Sequence, residues 1–584
     1  MKMGPKVSLG DATRASADLN LSEVLTRASA RGPVLQDLAP ISMSLPWLRS
    51  QRFWSQAGLE VFTSGEVPYV VTNDGEQSRK ALEVYLASLR AAERQGTREE
   101  ASYVLEIGTG TGLFAKLFLD QLKARSGADK TQDYERTTYV VADASPSLLD
   151  DTRKSGVFAE HEARIERVLL PPLGLRAAIE EALPRIVGKV RAFHGNYVFD
   201  SLPFTILSNS SSGMFELRIR TRIREDLLPP GTPPPDTSDV RSLQQWLDAL
   251  FNTSAASART ALTFDAEYVR IGREELPFAE LVPPLPEDGV EPGRQWVHSF
   301  GAVQCLADAL SLLQADGHII VSDYGYEGAR PEPVEFQMFG SSVAAGVNFA
   351  QLVAFAQTRP DCLVGVPAAD PANLQGRLFA RGHAADEVVQ LFRSLYSKET
   401  ADRAEAPYRE ALQLAGNGHY EAARWKFEEA YRLQPWNWSL QEAMVSFLTY
   451  TLEDHEAGLE ICKRALQLNH LSPRLWNSLG DCYYGLSLLD SAEQAYRQAI
   501  LINPSEVRGR TNLAYVFLKR GSPGDALRLI GEALALDRAG DCREELIGKQ
   551  NEALQALAAE HFRDVRANLK RLSGHHALPH RISP

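Results

Sequence analysis

The spacing of apolar residues divides the chain into two parts near residue 400. From about 103 to 385, apolar runs of strand length alternate with amphipathic stretches of helix length, which is typical of parallel strands joined by helices. After Glu399 the apolar positions follow a helical period, and alanines recur at 430, 465, 499 and 533, 34 or 35 residues apart. The pattern predicts an α/β domain followed by an all-α repeat array.

Changes in the spacing of apolar residues and in composition also set the bounds of the predicted domains and linkers. These are an N-terminal cover (1–60), the α/β domain (61–385) with an insertion at about 225–290, a linker (386–403), four helix pairs (404–540), a capping helix (541–572) and a tail (573–584). The insertion lies between Pro229–Pro235 and Pro283–Pro286 and is predicted to be helical around Trp246 and Phe251. Either a lid over a site or a surface elaboration would fit it. Earlier in the chain, Pro68–Gly75 is predicted as a strand that ends in a turn.

The repeats share an ordered set of residues: Trp476, Leu479, Gly480, Tyr483, Ala492, Tyr496, Ala499 and Pro504. This order matches the tetratricopeptide repeat (TPR) pattern. Stacked helix pairs of this kind form a solenoid, and its concave surface usually holds a peptide or protein. Polar residues in the first helix of two repeats are candidates for that surface: Arg474, Asn477, Arg508, Asn512 and Lys519. Ordinary solvated helix polarity is the alternative.

Composition and charge exclude several classes of protein. With 584 residues, 44% of them hydrophobic, the chain can bury several cores. Its net charge of -13 opposes non-specific binding to nucleic acid. The five cysteines are scattered without metal-ligand spacing, and no apolar run reaches the roughly eighteen residues of a membrane span. We therefore predict a soluble cytoplasmic protein with no metal, nucleic-acid or membrane partner, and leave a homodimer open.

The segment Tyr103–Phe114 combines an apolar strand, a glycine-rich turn and the start of a helix. Gly108, Gly110 and Gly112 permit positive φ angles and leave room for a ligand against the backbone. The helix that begins near Leu113 would turn its free N–H groups and positive dipole end toward an anionic group of the ligand. This arrangement is typical of a nucleotide-type cofactor site. A tight turn that packs a helix on a strand is the alternative.

The spacing of the glycines separates two cofactor classes. A dinucleotide fingerprint, G-x-G-x-x-G/A, would place glycine or alanine five residues after Gly108, where this chain has Leu113. The observed order from Glu106 to Gly112 is Glu-x-Gly-x-Gly-x-Gly, which resembles motif I of class I S-adenosylmethionine (SAM) methyltransferases. Methyl transfer is therefore the leading hypothesis.

The next predicted strand, Thr138–Asp143, ends in an acid about thirty residues after the loop, where a ribose-binding carboxylate falls in a βαβ unit. Asp143 can accept hydrogen bonds from both ribose hydroxyls, or it can serve as a helix cap with Ser145. The expected cofactor-binding set is Glu106, Gly108, Thr109, Gly110, Gly112, Asp143, Ala144, Ser145 and Asn196.

A third strand, Arg191–Asn196, opens into a polar turn that continues to Pro203. Ligands of open α/β sheets bind at the carboxyl edge of the strands, so Asn196 and Asp200 become candidates for contacting a methyl acceptor. Turn formation and helix capping are their structural alternatives. His194 is a candidate base, although a histidine within a strand is more often a core residue.

Five blocks resemble the MidA-like family of SAM-dependent methyltransferases: Leu105–Gly112, Asp143–Leu148, Asn196–Pro203, Gly317–Gly325 and Val347–Leu352. The resemblance covers roughly residues 100 to 385 and implies a Rossmann-like fold and SAM as cofactor. One branch of the family methylates arginine, which makes a guanidinium acceptor an implication here. The chain departs from the family at Tyr197, where glutamate is usual, and at Ser342–Gly346, which replaces a D-I/L-T-A-H stretch.

Together these features predict a Rossmann-like SAM methyltransferase domain with a helical insertion and a TPR solenoid that recruits a protein or peptide substrate. Arginine guanidinium is one candidate acceptor. Asp200 is expected to orient it, Asn196 to fix the turn, and Asp323 to add a nearby carboxylate. Two alternatives stay open: a small-molecule biosynthetic methyltransferase with repeats for assembly, and a non-catalytic SAM-binding TPR scaffold.

Overall fold

A computed structural model describes residues 19–20, 32–170, 173–210, 213–224, 240–253, 262–283, 294–327, 336–339, 342–371, 374–382, 385–537, 540 and 542–574. The chain forms two compact units, residues 1–407 and 408–584. Each unit is described by itself.

Within the described residues, the strands belong to the first unit. They are β1 (Leu19–Asn20), β2 (Val34–Pro40), β3 (Ser102–Ile107), β4 (Thr137–Asp143), β5 (Ile165–Leu169), β6 (Val190–Asn196), β7 (Thr205–Ser210), β8 (Gly213–Ile223), β9 (Leu262–Ile271), β10 (Arg294–His298), β11 (Leu313–Asp323), β12 (Gly325–Tyr326), β13 (Phe336–Phe339), β14 (Ser342–Ala345), β15 (Val347–Asn348), β16 (Cys362–Gly365) and β17 (Gln375–Arg381).

The helices of the first unit are α1 (Leu45–Gln56), α2 (Glu60–Thr63), α3 (Val70–Asn73), α4 (Glu76–Gln95), α5 (Leu113–Asp129), α6 (Asp133–Arg136), α7 (Pro146–Lys154), α8 (Leu175–Ala182), α9 (Val240–Thr253), α10 (Phe300–Leu312), α11 (Phe349–Gln357) and α12 (Ala385–Leu395). Helix α13 (Lys398–Gly416) crosses the boundary between the units.

A seven-stranded sheet with the order β16-β17-β11-β6-β3-β4-β5 forms the centre of the first unit. β11, β6, β3, β4 and β5 run parallel, while β17 is antiparallel to both of its neighbours. The chain leaves β3 toward β4 on one side and returns through β6 on the other. Ligands of open α/β sheets bind at such a reversal of strand order, beyond the carboxyl ends of the strands.

Side chains alternate across this sheet because successive residues of a strand point to opposite faces. Leu105 and Phe193 contribute to an apolar core that includes residues of α8, α10 and α11. On the other face, the Tyr139 ring packs against Phe118 of α5, which in turn contacts Tyr85 of α4. Helices therefore cover both faces, as the alternating pattern of the sequence predicts.

The N-terminal segment is not a separate cover. β2 joins a five-stranded sheet through antiparallel pairing with β8, and Trp47 of α1 is buried in the core of that sheet. Trp47 meets Phe204 edge-on at 5.5 Å between ring centroids. The prediction of residues 1–60 as an outer layer is corrected, because the apolar side chains here complete a second core.

The insertion at about 225–290 is only partly helical. It contains α9, as predicted around Trp246, but also β9, which pairs with β8 along its whole length. Leu243 and Leu247 of α9 are buried in the second core. The stretch Pro229–Pro235 lies outside the described residues.

Two further expectations differ from the structure. Pro68–Gly75 contains the short helix α3 (Val70–Asn73) rather than a strand, and the Asn73 side-chain amide donates to the Tyr69 carbonyl at 2.9 Å across it. The segment 386–403 is helical rather than an open linker: α12 buries Val388 and Phe392, and α13 begins at Lys398. The amphipathic spacing within α12 explains its packing on the first unit.

The second unit consists of helices in the described residues. They are α14 (Tyr420–Leu433), α15 (Trp438–Tyr450), α16 (His455–Leu468), α17 (Pro473–Gly485), α18 (Leu489–Ile502), α19 (Val507–Lys519), α20 (Pro523–Leu536) and α21 (Arg543–Gly574). The four periodic alanines are fully buried, so each of them contributes to the packing between helices. Gly480 fits this packing because a Cβ atom there would lie 2.4 Å from the Tyr496 ring.

In the parts of the chain that the structure describes, no helix is both long and apolar enough to cross a lipid bilayer.

Candidate functional site

A cavity of about 510 Å³ lies at the carboxyl ends of β3, β4 and β6 in the first unit. Its lining includes the glycine-rich turn after β3, the acid at the end of β4 and the polar turn after β6. It therefore occupies the reversal of strand order, where this class of sheet binds ligands.

The three loop glycines have the predicted positive φ angles: 63° at Gly108, 53° at Gly110 and 77° at Gly112. Their missing side chains are needed largely for contacts within the protein. A Cβ atom would lie 2.2 Å from Val198 at Gly108 and 2.8 Å from Phe158 at Gly112. These contacts agree with the alternative of a turn packed tightly within the protein, while Gly108 and Gly110 also line the cavity.

Asp143 lies at the end of β4 and lines the cavity. One carboxylate oxygen accepts from the Gly110 amide at 3.1 Å and the other from the Ser145 amide at 3.0 Å. A carboxylate has about four acceptor sites, so both oxygens retain capacity for ligand hydroxyls. Asp143 therefore ties the glycine turn to the next strand and still faces the cavity.

The residues that follow Asp143 divide between the two roles predicted for them. Ala144 lines the cavity. Ser145 does not: its hydroxyl accepts from the Leu148 amide at 3.2 Å and donates to the Ala57 carbonyl at 2.6 Å. In this structure Ser145 acts as the N-cap of α7, which was its alternative role.

The amino end of α5 is capped by the protein itself. The Phe114 amide donates to Asn73 Oδ1 at 3.1 Å, and the Leu113 amide donates to Thr111 Oγ1 at 3.3 Å. This corrects the expectation that α5 presents free N–H groups to an anion. Asn73 lines the cavity and is a site residue that sequence reasoning missed, although the Asn73–Gly75 turn before α4 was a visible signal.

Glu106 is buried at the end of β3 and lines the same cavity. Tyr139 donates to Glu106 Oε2 at 3.1 Å, and burial raises the pKa of this carboxyl to about 8. His194 is its neighbour across the strand pair, but the imidazole contacts Phe114 and Phe118 and does not line the cavity. Burial lowers the pKa of His194 to about 3, which is the behaviour of a core histidine.

The polar turn after β6 is held in place by Asp323. Asp323 Oδ2 accepts from the amides of Phe199 and Asp200 at 2.8 and 3.1 Å, and Oδ1 accepts from the Tyr324 amide at 2.8 Å. Asp323 is fully buried outside the cavity lining. Its predicted part in catalysis is therefore corrected to one of positioning the turn.

Asn196, Tyr197 and Asp200 of this turn line the cavity. The Asn196 Nδ2 atom is buried and has no hydrogen-bond partner among the described residues. Tyr197, with a φ of 53°, stacks on Tyr324 at 4.9 Å between centroids. Burial raises the pKa of the Asp200 carboxyl to about 7. The turn thus presents an amide and a carboxyl beside two aromatic rings.

Helix α1 supplies a wall of the cavity that the sequence did not reveal. Trp54 Nε1 donates to Ser342 Oγ at 2.8 Å, and the Val343 amide donates to Ser50 Oγ at 2.9 Å. Gln51 donates to the Ser201 carbonyl at 3.4 Å. These residues are far apart in sequence, so no local motif could have joined them.

The carboxyl groups of the cavity lining have no basic side chain beside them in the described lining. Among the described lining residues, Glu106, Asp143 and Asp200 are acidic and none is lysine, arginine or histidine. A buried carboxylate favours an opposite charge nearby. The cavity therefore favours cationic ligands.

Most residues of the cavity lining fall within a segment that matches a known family, and those from α1 to α3 lie before it. Residues 85–346 match the model of a methyltransferase family. The family is described as "Putative S-adenosyl-L-methionine-dependent methyltransferase", and the match covers a little under half of the chain. The cofactor prediction, SAM, is confirmed by this match. No curated protein matches the chain.

Several solved structures are similar at low identity. A Burkholderia thailandensis protein described as a "likely methyl transferase", bound to S-adenosylhomocysteine, is 15% identical, covers 65% of this chain and 95% of its own, and has a TM-score of 0.38. MamA from Desulfovibrio magneticus is 19% identical over 27% of this chain and 88% of its own, with a TM-score of 0.23. PilF of Pseudomonas aeruginosa is 20% identical over 27% and 71%, with a TM-score of 0.24. None of these likenesses identifies a substrate.

The residues of the cavity fit SAM on structural grounds. SAM carries a sulfonium and an ammonium group, and Glu106 and Asp143 are buried lining carboxylates with no basic side chain beside them in the lining. The positive φ angles of the turn bring backbone to the cavity wall without side chains. Of the nine residues expected to bind the cofactor, the cavity lining includes Glu106, Gly108, Thr109, Gly110, Asp143, Ala144 and Asn196 but not Gly112 or Ser145.

The polar residues predicted for the repeat surface are paired within the second unit. Arg474 bonds Glu442 at 2.8 Å, and Arg508 bonds Asp481 at 3.1 Å. The other three have partners as well: Asn477 bonds Glu506, Asn512 bonds Asp481, and Lys519 bonds Ser487 and lies over the Tyr484 ring. These pairs show that the candidates also stabilise the stacked helices.

Proposed function

We propose that the protein is a SAM-dependent methyltransferase that methylates a cationic nitrogen of a protein or peptide, with arginine guanidinium as the favoured acceptor. One observation carries the proposal: a single cavity joins the glycine turn to Asn196 and Asp200, and its lining is acidic without a basic residue among those described. The family match and the resemblance of the turn after β6 support the same reading.

The acceptor side of the cavity suits a planar cation. Tyr197 and Tyr324 stack in the wall, and Trp54 lines it from α1. Aromatic faces attract guanidinium groups, and a carboxylate can accept two of their N–H bonds. We therefore expect Asp200 to orient a guanidinium, with the unpaired Asn196 side-chain amide as a donor to the cofactor or to the acceptor backbone.

Asp200 also has a suitable proton affinity. Burial raises its pKa to about 7, and a cation beside it would lower that value toward ionisation. A bound SAM would supply an electrophilic methyl group on its sulfonium, with a neutral thioether as the leaving group. Asp200 then accepts the proton that the nitrogen loses as the N–C bond forms. Proton acceptance of this kind contributes about 10² to 10⁴ in rate.

An intact-mass screen tests this function. The whole chain is incubated with SAM and arginine-rich peptides, and a gain of one methyl mass on the peptide is expected with the wild type and not with Asp200→Asn. Binding of SAM to both proteins, measured by calorimetry, separates loss of chemistry from loss of folding. Binding of SAM without transfer to any cationic acceptor would favour the scaffold alternative.

The second unit is proposed to recruit the acceptor. A chain that ends after residue 416, where α13 ends, should bind SAM as the full chain does but show a higher KM for a protein acceptor. An unchanged KM with unchanged kcat would remove the recruiting role.

A further inference from the structure

Tyr197 has an unusual backbone conformation at the edge of the cavity. Its φ of 53° lies in the left-handed region, which is strained for a residue with a side chain. Strand β6 ends at Asn196, and in a continued strand Tyr197 would point to the opposite face of the sheet from Asn196. The left-handed turn interrupts this alternation, and both side chains line the same cavity. Strain of this kind persists where the surrounding structure imposes it, and it is concentrated at functional sites.

The neighbours of Tyr197 hold it in this conformation. Its amide donates to the Ser322 carbonyl at 3.0 Å, and its ring stacks on Tyr324 with 4.9 Å between centroids and 20° between the planes. A planar group between the two rings would need a separation of about 7 Å, twice a normal contact distance. The face of Tyr197 that meets Tyr324 is therefore closed to a ligand.

The hydroxyl group of Tyr197 has hydrogen-bonding capacity to spare. Its oxygen is buried, and no hydrogen bond to it is found among the described residues. Even a bond shared with the Tyr324 phenol would use a single O–H and leave acceptor sites on both oxygens. Burial, and then the nearby Tyr324 phenol and Asp323 carboxyl, raise the pKa of Tyr197, so the phenol stays neutral. A ligand that bonds this oxygen would relieve an unpaired buried polar atom.

A guanidinium needs more acceptors than Asp200 provides. It carries five N–H donors in one plane and no acceptor, and a carboxylate accepts two of them. The unpaired Asn196 Nδ2 is itself a donor. Tyr197 lies three residues before Asp200, and its neutral phenol oxygen can accept an N–H without adding charge beside the Asp200 and Asp323 carboxyls. A lysine ammonium has three donors on one tetrahedral nitrogen and does not require acceptors in one plane.

We propose that the Tyr197 hydroxyl makes the acceptor site selective for guanidinium over ammonium, by accepting an N–H from the same planar group that Asp200 orients. This inference rests on the proposed function, because it concerns the same acceptor. The left-handed backbone is what brings the side chain that follows the strand end into the cavity. Tyr197 determines specificity and takes no proton, since that role stays with Asp200.

Binding of two peptides that differ only in one arginine or lysine tests the inference. The full chain, saturated with S-adenosylhomocysteine, is titrated with each peptide by calorimetry, and the wild type is expected to favour the arginine peptide. Tyr197→Phe keeps the ring and removes the oxygen. It should weaken arginine-peptide binding about 10- to 100-fold and lysine-peptide binding by less than about twofold. The matched control is Tyr268→Phe, at a tyrosine of β9 outside the cavity lining, which should bind both peptides as the wild type does.

Steady-state kinetics provide an independent test. Tyr197→Phe should raise the KM of the arginine peptide while kcat stays within about threefold, because proton acceptance remains with Asp200. A wild type without preference for arginine, an unchanged arginine affinity in Tyr197→Phe, or equal losses for both peptides would overturn the inference. A wild type that binds arginine selectively through Tyr197 but transfers no methyl group would refute the proposed function and support the selectivity.

Discussion

The buried carboxylates of the cavity differ from those of the repeat surface in their partners. In the second unit, Glu442 bonds Arg474 and Asp481 bonds Arg508. In the cavity, Glu106 and Asp200 have no basic side chain in the surrounding lining, and burial raises their pKa values to about 8 and about 7. A carboxylate paired within the chain stabilises the fold, whereas one left without a cation is destabilising until a ligand supplies one. The two sets therefore differ in whether the chain supplies a cationic partner and not in the pKa alone, because burial also raises the pKa of Glu506 in the repeats to about 7.

Asp200→Asn should have the largest effect, because it removes a cavity carboxyl that has no basic partner in the described lining. We expect methyl transfer to a cationic peptide to fall by about 10² to 10⁴, because the amide can neither accept the proton nor pair with the cation. SAM affinity measured by calorimetry should stay within about twofold. The matched control is Asp370→Asn, since Asp370 is paired with the buried Arg377 at 2.7 Å. That variant should lower the melting temperature and leave transfer per folded molecule unchanged; equal losses in both variants would contradict the distinction.

Gly110→Val should weaken the binding of SAM. The backbone there has a φ of 53°, and a Cβ atom would lie 3.2 Å from Phe62. A β-branched residue in the left-handed region costs about 1–2 kcal/mol, so SAM affinity should fall by about tenfold or more. Gly127→Val, at a site with no neighbouring atom within 4 Å, is the control and should bind SAM normally. Equal titration curves would show that the turn does not shape the site.

Asn73→Ala should have a smaller effect. It removes the acceptor of the Phe114 amide at the start of α5, and loss of such a cap costs about 1 kcal/mol. We expect a lower melting temperature and about fivefold weaker SAM binding, both relative to the exposed control Asn417→Ala. Stability lost without any change in affinity would restrict Asn73 to a structural part.

The pH dependence of the free energy of unfolding tests the protonation state of one cavity carboxyl, Glu106. The folded pKa of Glu106 is raised to about 8 from 4.5, so the folded state holds this proton more tightly than the unfolded state. The stabilisation of the folded state by this bound proton is complete below about pH 4.5 and is lost as the pH rises toward 8. Glu106→Gln should therefore reduce the fall in the free energy of unfolding over this range in denaturant titrations without ligand. Identical slopes in both proteins would argue against a buried neutral Glu106.

The elements with local signals could be predicted from the sequence. The glycine turn, the strand ending in Asp143 and the period of the repeat alanines each depend on residues close together in the chain, and each is present as expected. Roles that depend on distant partners could not be predicted. Asp323 accepts hydrogen bonds from amides more than a hundred residues away, and Trp54 donates to Ser342, also distant in sequence, in the cavity wall. No spacing rule connects such positions.

The N-terminal region also contributes to the site in a way that the sequence could not predict. α1 and α3 carry no chemical motif, yet they provide Trp54 and Asn73 to the cavity wall. Their placement follows from burial of Trp47 and from the cap on α5, which are tertiary interactions. A sequence pattern can therefore identify the loops after β3, β4 and β6 but not the helices α1 and α3 that complete the cavity.

Calorimetric titration of the full chain with SAM is the decisive experiment for the cofactor site. We expect saturable binding of one SAM per chain, weakened by Glu106→Gln and by Gly110→Val and retained in Asp200→Asn. A chain that is folded by circular dichroism and shows no heat of binding, or binding that is indifferent to Glu106 and Gly110, would contradict the assignment of this cavity as the cofactor site.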